Sequence, residues 1–178
     1  KWYHTGLQGG RPVKLPHTWN TEAENETHYG WGWYQKKFLP KTEWKNKSLV
    51  LQFGAINHSS VIYLNGIKIE ENTGDGFSKF SVDLSKWLRY GKENSLTIAV
   101  NNDYRKNKIP FGSSFDWPND GGIIRKVNLF VVGKPAASYI KVLPVLNTSD
   151  SSGTVRLKLG VGQYQSPATR LAVKIQEE

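Results

Sequence analysis

The groups best placed to do chemistry lie between Asn101 and Arg125. This stretch joins two strand-like runs and is about 25 residues long; ordered connections of that length in compact domains usually carry a function. It opens on the polar cluster Asn101-Asn102-Asp103 and contains Asp116 next to Trp117. A carboxylate such as Asp116 accepts hydroxyl protons, and each charge-assisted bond contributes about 1.5–3 kcal/mol. The aromatic groups Tyr104, Phe111, Phe115 and Trp117 accompany it. Indole and phenol faces stack on the apolar C–H faces of sugar rings, and they also fill sandwich cores. Two purely structural readings stand beside these. Asp116 would cap the turn Trp117-Pro118-Asn119-Asp120, and Asn101 to Asp103 would form a polar strand exit.

Other chemistries find little support. The 178 residues contain no cysteine, so disulfides, thiolate metal sites and a Cys nucleophile are excluded. The four histidines are isolated, and no cluster has transition-metal spacing. No cofactor is implied, and the only ion to consider is a Ca²⁺ held by loop carboxylates. The formal charge of +9 raises the question of nucleic acid. The basic residues are scattered, however, and the densest runs are Lys36-Lys37 and Arg105-Lys106-Asn107-Lys108. No nucleic-acid motif accompanies them, so a solvated basic surface is expected and no nucleic-acid partner. No apolar stretch reaches the roughly 18 residues of a membrane span, and no signal peptide is visible. The chain starts at Lys1 and lacks Met, which reads as an excised or processed segment.

The elements that must position these groups are strands. Period-2 alternation predicts strands at Gly32–Leu39, Ser48–Phe53, Ser60–Leu64, Ile67–Glu70, Phe77–Asp83, Ser95–Asn101 and Arg125–Val132. Spacings of about eight to twelve residues with turn signals between them predict an all-β sandwich. Asn65-Gly66 fits a type I′ hairpin, because both residues tolerate positive φ. Asp83 to Leu88 reads as one short helical turn, capped by Asp83 or Ser85. Pro16-His17-Thr18-Trp19 predicts an extended entry with Trp19 packed beneath it. Arg125 calls for a carboxylate partner, with Asp83 and Asp103 as candidates. Lys134-Pro135-Ala136-Ala137 marks a boundary. The runs Tyr139–Val145, Thr154–Val161 and Thr169–Ile175 beyond it are too few to close a second sandwich of about 100 residues.

Three segments in order carry a resemblance. The first is Leu15-Pro16-His17-Thr18-Trp19-Asn20 with Gly32-Trp33-Tyr34-Gln35-Lys36-Lys37-Phe38. The second is Leu51-Gln52-Phe53-Gly54-Ala55, then Val61-Ile62-Tyr63-Leu64-Asn65-Gly66, then Gly76-Phe77-Ser78-Lys79-Phe80-Ser81-Val82-Asp83. The third is Phe115-Asp116-Trp117 with Gly122-Ile123-Ile124-Arg125-Lys126-Val127. Together they resemble the N-terminal sugar-binding domain of family 2 glycoside hydrolases, which include β-galactosidases, β-glucuronidases and β-mannosidases. Thr18, Asp75 and Lys126 depart from the usual pattern.

The resemblance implies a galactose-binding-like jelly-roll β-sandwich over residues 1–134. It also implies the start of an immunoglobulin-like sandwich over 135–178. It further implies a non-catalytic domain that supports a catalytic barrel elsewhere in the same protein and lends a loop to its carbohydrate pocket. In this reading Asp116 contacts substrate hydroxyls, with Asn102, Asp103 and Trp117 as further sugar contacts and no catalytic residue in this chain. A retaining glycosidase needs two carboxyl groups about 5–5.5 Å apart, which the family carries on its barrel strands. Galactoside is the first substrate to consider and glucuronide the second. A periplasmic or secreted location is expected. The alternative is a self-sufficient carbohydrate-binding module, using exposed aromatics such as Trp31, Trp117 and Tyr104.

Overall fold

A computed structural model describes residues 2–73, 75–103, 118–134 and 137–161. It divides into two compact units, Lys1–Val132 and Gly133–Glu178. Among the described residues the secondary structure is almost wholly β. No helix there is long and apolar enough to cross a membrane.

In the first unit, strict alternation builds a two-layer core. Strand β3 (Ser48–Phe53) buries Leu49, Leu51 and Phe53, while strand β4 (Ser59–Leu64) buries Ser60, Ile62 and Leu64. Strand β7 (Asn94–Asn101) contributes Leu96, Ile98 and Val100. One sheet has the order β2-β7-β4-β5, where β2 is Trp31–Phe38 and β5 is Ile67–Asn72. The facing sheet has the order β6-β3-β9, where β6 is Phe80–Asp83 and β9 is Val127–Val132. All pairings are antiparallel. Their inner faces enclose one cluster around Phe53, Ile62, Leu64, Val100 and Ile123, which makes this unit a jelly-roll sandwich.

The outer face of the four-stranded sheet is also partly covered. A single helical turn, α1 (Trp2–Thr5), lays Tyr3 flat against Tyr63, with ring centroids 4.3 Å apart and planes 9° from parallel. Trp33 continues this stack at 6.4 Å from Tyr63. Thr97 and Ala99 of the central strand β7 are therefore buried, although they point away from the core.

The expected turns form for the expected reasons. Asn65 (φ 52°) and Gly66 (φ 82°) both adopt positive φ between β4 and β5, with Leu64 paired to Ile67. Strand β6 is shorter than the alternation predicts. Asp75 Oδ1 accepts the N–H groups of Phe77 and Ser78, and this turn holds them out of the ladder. Asp83 Oδ1 accepts from Ser85 N–H as a cap should, and the capped segment is a single turn closed by Trp87 N–H to Leu84 O. The strand expected from Arg125 begins at Val127 instead. Arg125 is not paired with Asp83 or Asp103; its guanidinium donates to the Phe77 carbonyl at 3.1 Å. A backbone carbonyl thus takes the place assigned to a carboxylate.

The second unit, among its described residues, is a long antiparallel hairpin of β10 (Ala137–Asn147) and β11 (Ser152–Val161). Its apolar side chains are open on both faces, with Ile140 66% and Leu146 81% exposed. A lone two-stranded ribbon of this kind needs further layers to be stable. The expected run Thr169–Ile175 lies outside the described residues.

Candidate functional site

The two roots of the 104–117 connection are brought together by four buried asparagines. The first root is the end of β7, and the second is Pro118–Gly121, which leads into β8 (Gly122–Ile123). Strand β8 pairs with β1 (His17–Thr18), so the second root is tied to the chain entry. Asn102 Nδ2 donates to Asn119 O at 2.9 Å, and Asn119 Nδ2 donates back to Asn102 O at 2.6 Å. This reciprocal pair closes the loop at its base.

Two further asparagines hold the pair from outside. Asn57 Nδ2 donates to Asn119 Oδ1 at 2.8 Å and to Asp120 O at 2.7 Å. Asn20 Oδ1 accepts from Gly121 N–H at 2.8 Å and from Asn102 Nδ2 at 3.2 Å. Asn20 Nδ2 in turn reaches the carbonyls of Asn25, Glu26 and His28. Asn102 Oδ1 accepts from Gly30 N–H at 2.9 Å. An amide has a donor end and an acceptor end, so one Asn serves a carbonyl and an N–H at once. That is why asparagine, rather than Asp or Leu, suits a site where several chain segments end together. Gly121 is required at this junction, because a Cβ there would run into the Trp19 indole and the Asn102 amide.

A second polar chain fixes the entry beside this clamp. The His17 ring meets Glu22 Oε1 at 3.0 Å through Nε2 and the Tyr34 hydroxyl at 2.8 Å through Nδ1. The hydrogen bond from His17 is the main cause that holds the Glu22 carboxyl below its usual range. A carboxylate only accepts, so His17 donates from Nε2, and in the neutral ring Nδ1 is then the acceptor of the Tyr34 O–H. Burial pushes Tyr34 up to about 12, so its proton is retained. Trp19 lies in the core beneath this entry, as its motif predicts.

These positions revise the set of site residues. Asn102, expected as a sugar contact, is fully enclosed, and its amide is taken up by the protein's own chain. It is a strut for the loop roots. Asp103 follows it at the rim, half-buried, with its N–H donating to Asn101 Oδ1 at 2.8 Å. Asp116, Trp117 and Tyr104 lie outside the described residues. At the second root, burial raises the Asp120 carboxyl above its ordinary value. Sequence reasoning passed over Asn20, Asn57 and Asn119 as contributors. The available signal was Asn57 directly after the apolar Ala55-Ile56, a polar residue continuing a core run. Among the described residues no group of three or more acidic or histidine side chains is gathered to hold a metal.

A sequence model of the sugar binding domain of glycosyl hydrolases family 2 matches residues 11–133. The chain belongs to glycosyl hydrolase family 2. A β-glucuronidase of Bacteroides fragilis is 31% identical over 132 residues, covering 72% of this chain and 19% of that protein. A β-galactosidase of Thermoanaerobacter pseudethanolicus is 30% identical over 125 residues, covering 67% of this chain and 17% of that protein. Among solved structures, the β-glucuronidase of an uncultured Clostridium sp. superposes with a TM-score of 0.79 at 32% identity, covering 91% of this chain and 30% of that one. The chain therefore spans about a fifth of the length of the curated relatives it matches. The asparagine clamp lies wholly inside the family 2 domain.

Proposed function

We propose that this chain is the non-catalytic N-terminal domain of a β-glycosidase, and that its 101–125 connection forms one wall of the sugar pocket. Asp116, Asp103 and Trp117 are the proposed sugar contacts. The catalytic carboxyl pair belongs to a barrel that this chain supports. The observation that carries the reading is the asparagine clamp. Four buried amides hold the two ends of a long connection together, each of them hydrogen-bonded across the junction, although Asn57 Oδ1 is left without a partner among the described residues. A loop that merely linked two strands would need no such base.

Glucuronide is the better-supported sugar. The 31% identical relatives from Paenibacillus borealis and Bacteroides fragilis carry the name β-glucuronidase, as does the 32% identical structure. The β-galactosidase relative keeps galactoside as the second choice. The test is Asp116→Ala in the full-length protein. One lost charge-assisted bond predicts a fall in kcat/KM of about 1.5–3 kcal/mol, or roughly 10- to 150-fold, on nitrophenyl β-glucuronide. An unchanged value on both nitrophenyl glucuronide and galactoside would reduce Asp116 to a turn cap.

A further inference from the structure

Strand β2 is the outer strand of its sheet, and among the described residues no strand pairs with its second edge. Along that edge runs a groove of about 730 Å³, closed on the far side by the segment Leu7–Val13. The Leu7 N–H is tied to Gln35 Oε1 at 3.2 Å, so the far wall is anchored to the strand it faces. At the loop-root end, Trp31 is 50% exposed and pairs in register with Asn101, the last residue of β7. Its indole lies 6.5 Å from that of Trp33, with the planes 33° apart. Trp33 is backed by Tyr63 and Tyr3, so the platform has a fixed base.

We propose that this groove is a carbohydrate-binding site, taking a pyranoside chain that stacks on Trp31 and Trp33. The choice of carbohydrate rests on the glycosidase reading above. The lining suits it on its own chemistry. A sugar ring offers an apolar face to an indole and hydroxyls to the polar groups beside it. Those groups are present as the backbone edge of β2 beyond Trp31, whose carbonyl meets His28 Nε2, and as the side chains of Arg11 and Asn25, the latter already donating from Nδ2 to Glu22 Oε2. Arg11 meets Glu22 and Glu24 through Nη2 alone, so the carboxylates occupy one end of its fork. An extended peptide adding to the same edge is disfavoured by Lys36 and Lys37 in mid-strand, charges that oppose strand addition. The position beside Asn101 would let a long glycan be held on the sheet while its end is processed near the loop roots.

The test is native affinity electrophoresis of the full-length protein in gels containing arabinogalactan, xylan or hyaluronan. Wild type, Trp31→Ala, Trp31→Gln, Trp31→Phe and the control Trp87→Ala are compared, with circular dichroism confirming each fold. Two non-aromatic variants are made so that misfolding of one leaves the other. Wild type should be retarded on at least one polymer. Loss of the indole face should weaken that retention about tenfold or more, while Trp31→Phe retains part of it. Trp87→Ala should be retarded like wild type, because that exposed indole is not part of the groove. Full retention by both non-aromatic variants would overturn the proposal. So would loss of retention in Trp87→Ala with Trp31→Ala unaffected, or no retardation of wild type on any of the three gels.

Discussion

Replacing Asn102 tests the clamp most directly, because its consequences can be counted bond by bond. In Asn102→Ala the Gly30 N–H loses its acceptor, and the Asn119 carbonyl loses its donor. The other partners keep company. His28 O still receives Trp19 Nε1 and Asn20 Nδ2, and Asn20 Oδ1 still receives Gly121 N–H. Two orphaned groups at about 1–3 kcal/mol each predict a loss of about 2–6 kcal/mol. For a unit of this size that lowers Tm by roughly 10–20 °C. Asn102→Asp should be worse at pH 7. The new oxygen replaces Nδ2 and would face Asn119 O, His28 O and Asn20 Oδ1, all of them acceptors. Burial and these neighbours raise the folded-state pKa of the introduced acid above its unfolded value of about 3.9. Its stability should therefore be greatest below that pH, where the protonated acid donates one bond, and should decline as pH rises. Urea denaturation of both variants from pH 4 to 7.5 provides the measurement. A loss below about 1 kcal/mol for Asn102→Ala, or an Asn102→Asp variant as stable as wild type at pH 7, would refute the clamp.

The same geometry yields three further outcomes. Gly66→Ala must hold φ at 82° and bring a Cβ to 2.7 Å from His4 Nδ1 and 3.3 Å from Tyr3 O, so it should cost about 1–2 kcal/mol in urea denaturation. Tyr34 is raised from 10.0 to about 12, so wild-type stability is fully present below pH 10 and should fall by roughly 2–3 kcal/mol as pH rises to 12. In Tyr34→Phe that part of the alkaline loss should be absent, so it should appear as the difference between the two denaturation curves. The 178-residue chain alone should show no turnover of nitrophenyl glycosides above the uncatalysed rate, since the proposed catalytic pair is not part of it.

The sandwich was legible because its strands obey a simple rule. In β3 and β4 every second residue is buried, and no buried charge interrupts the pattern. Asn65-Gly66 was legible because few residue pairs adopt positive φ twice in succession. Strand ends were less legible where a side chain competes with the ladder. Asp75 takes the N–H groups that β6 would have used, and a period-2 pattern has no way of registering that. Arg125 was misread for a related reason. Its type signals a need for acceptors, but not whether a carboxylate or a carbonyl will supply them.

Asn102 was misassigned as a sugar contact, and its surroundings show why. A polar residue at a strand exit before a long connection looks like a surface group that meets ligand. Its burial depends on Asn20, Gly30, His28 and Asn119, which lie up to 82 residues away in sequence. No local pattern reports such a convergence. The convergence nevertheless explains the sequence better than ligand contact does. A residue that touches sugar needs only the right polar ends, and Asp or Gln would serve. A residue that must accept from Gly30 and donate to Asn119 within one closed space needs an amide of that length. Function at this end of the sandwich then divides between two kinds of residue. The buried asparagines fix where the connection leaves and returns, and in the proposed reading the acidic and aromatic groups it carries are the ones that meet sugar.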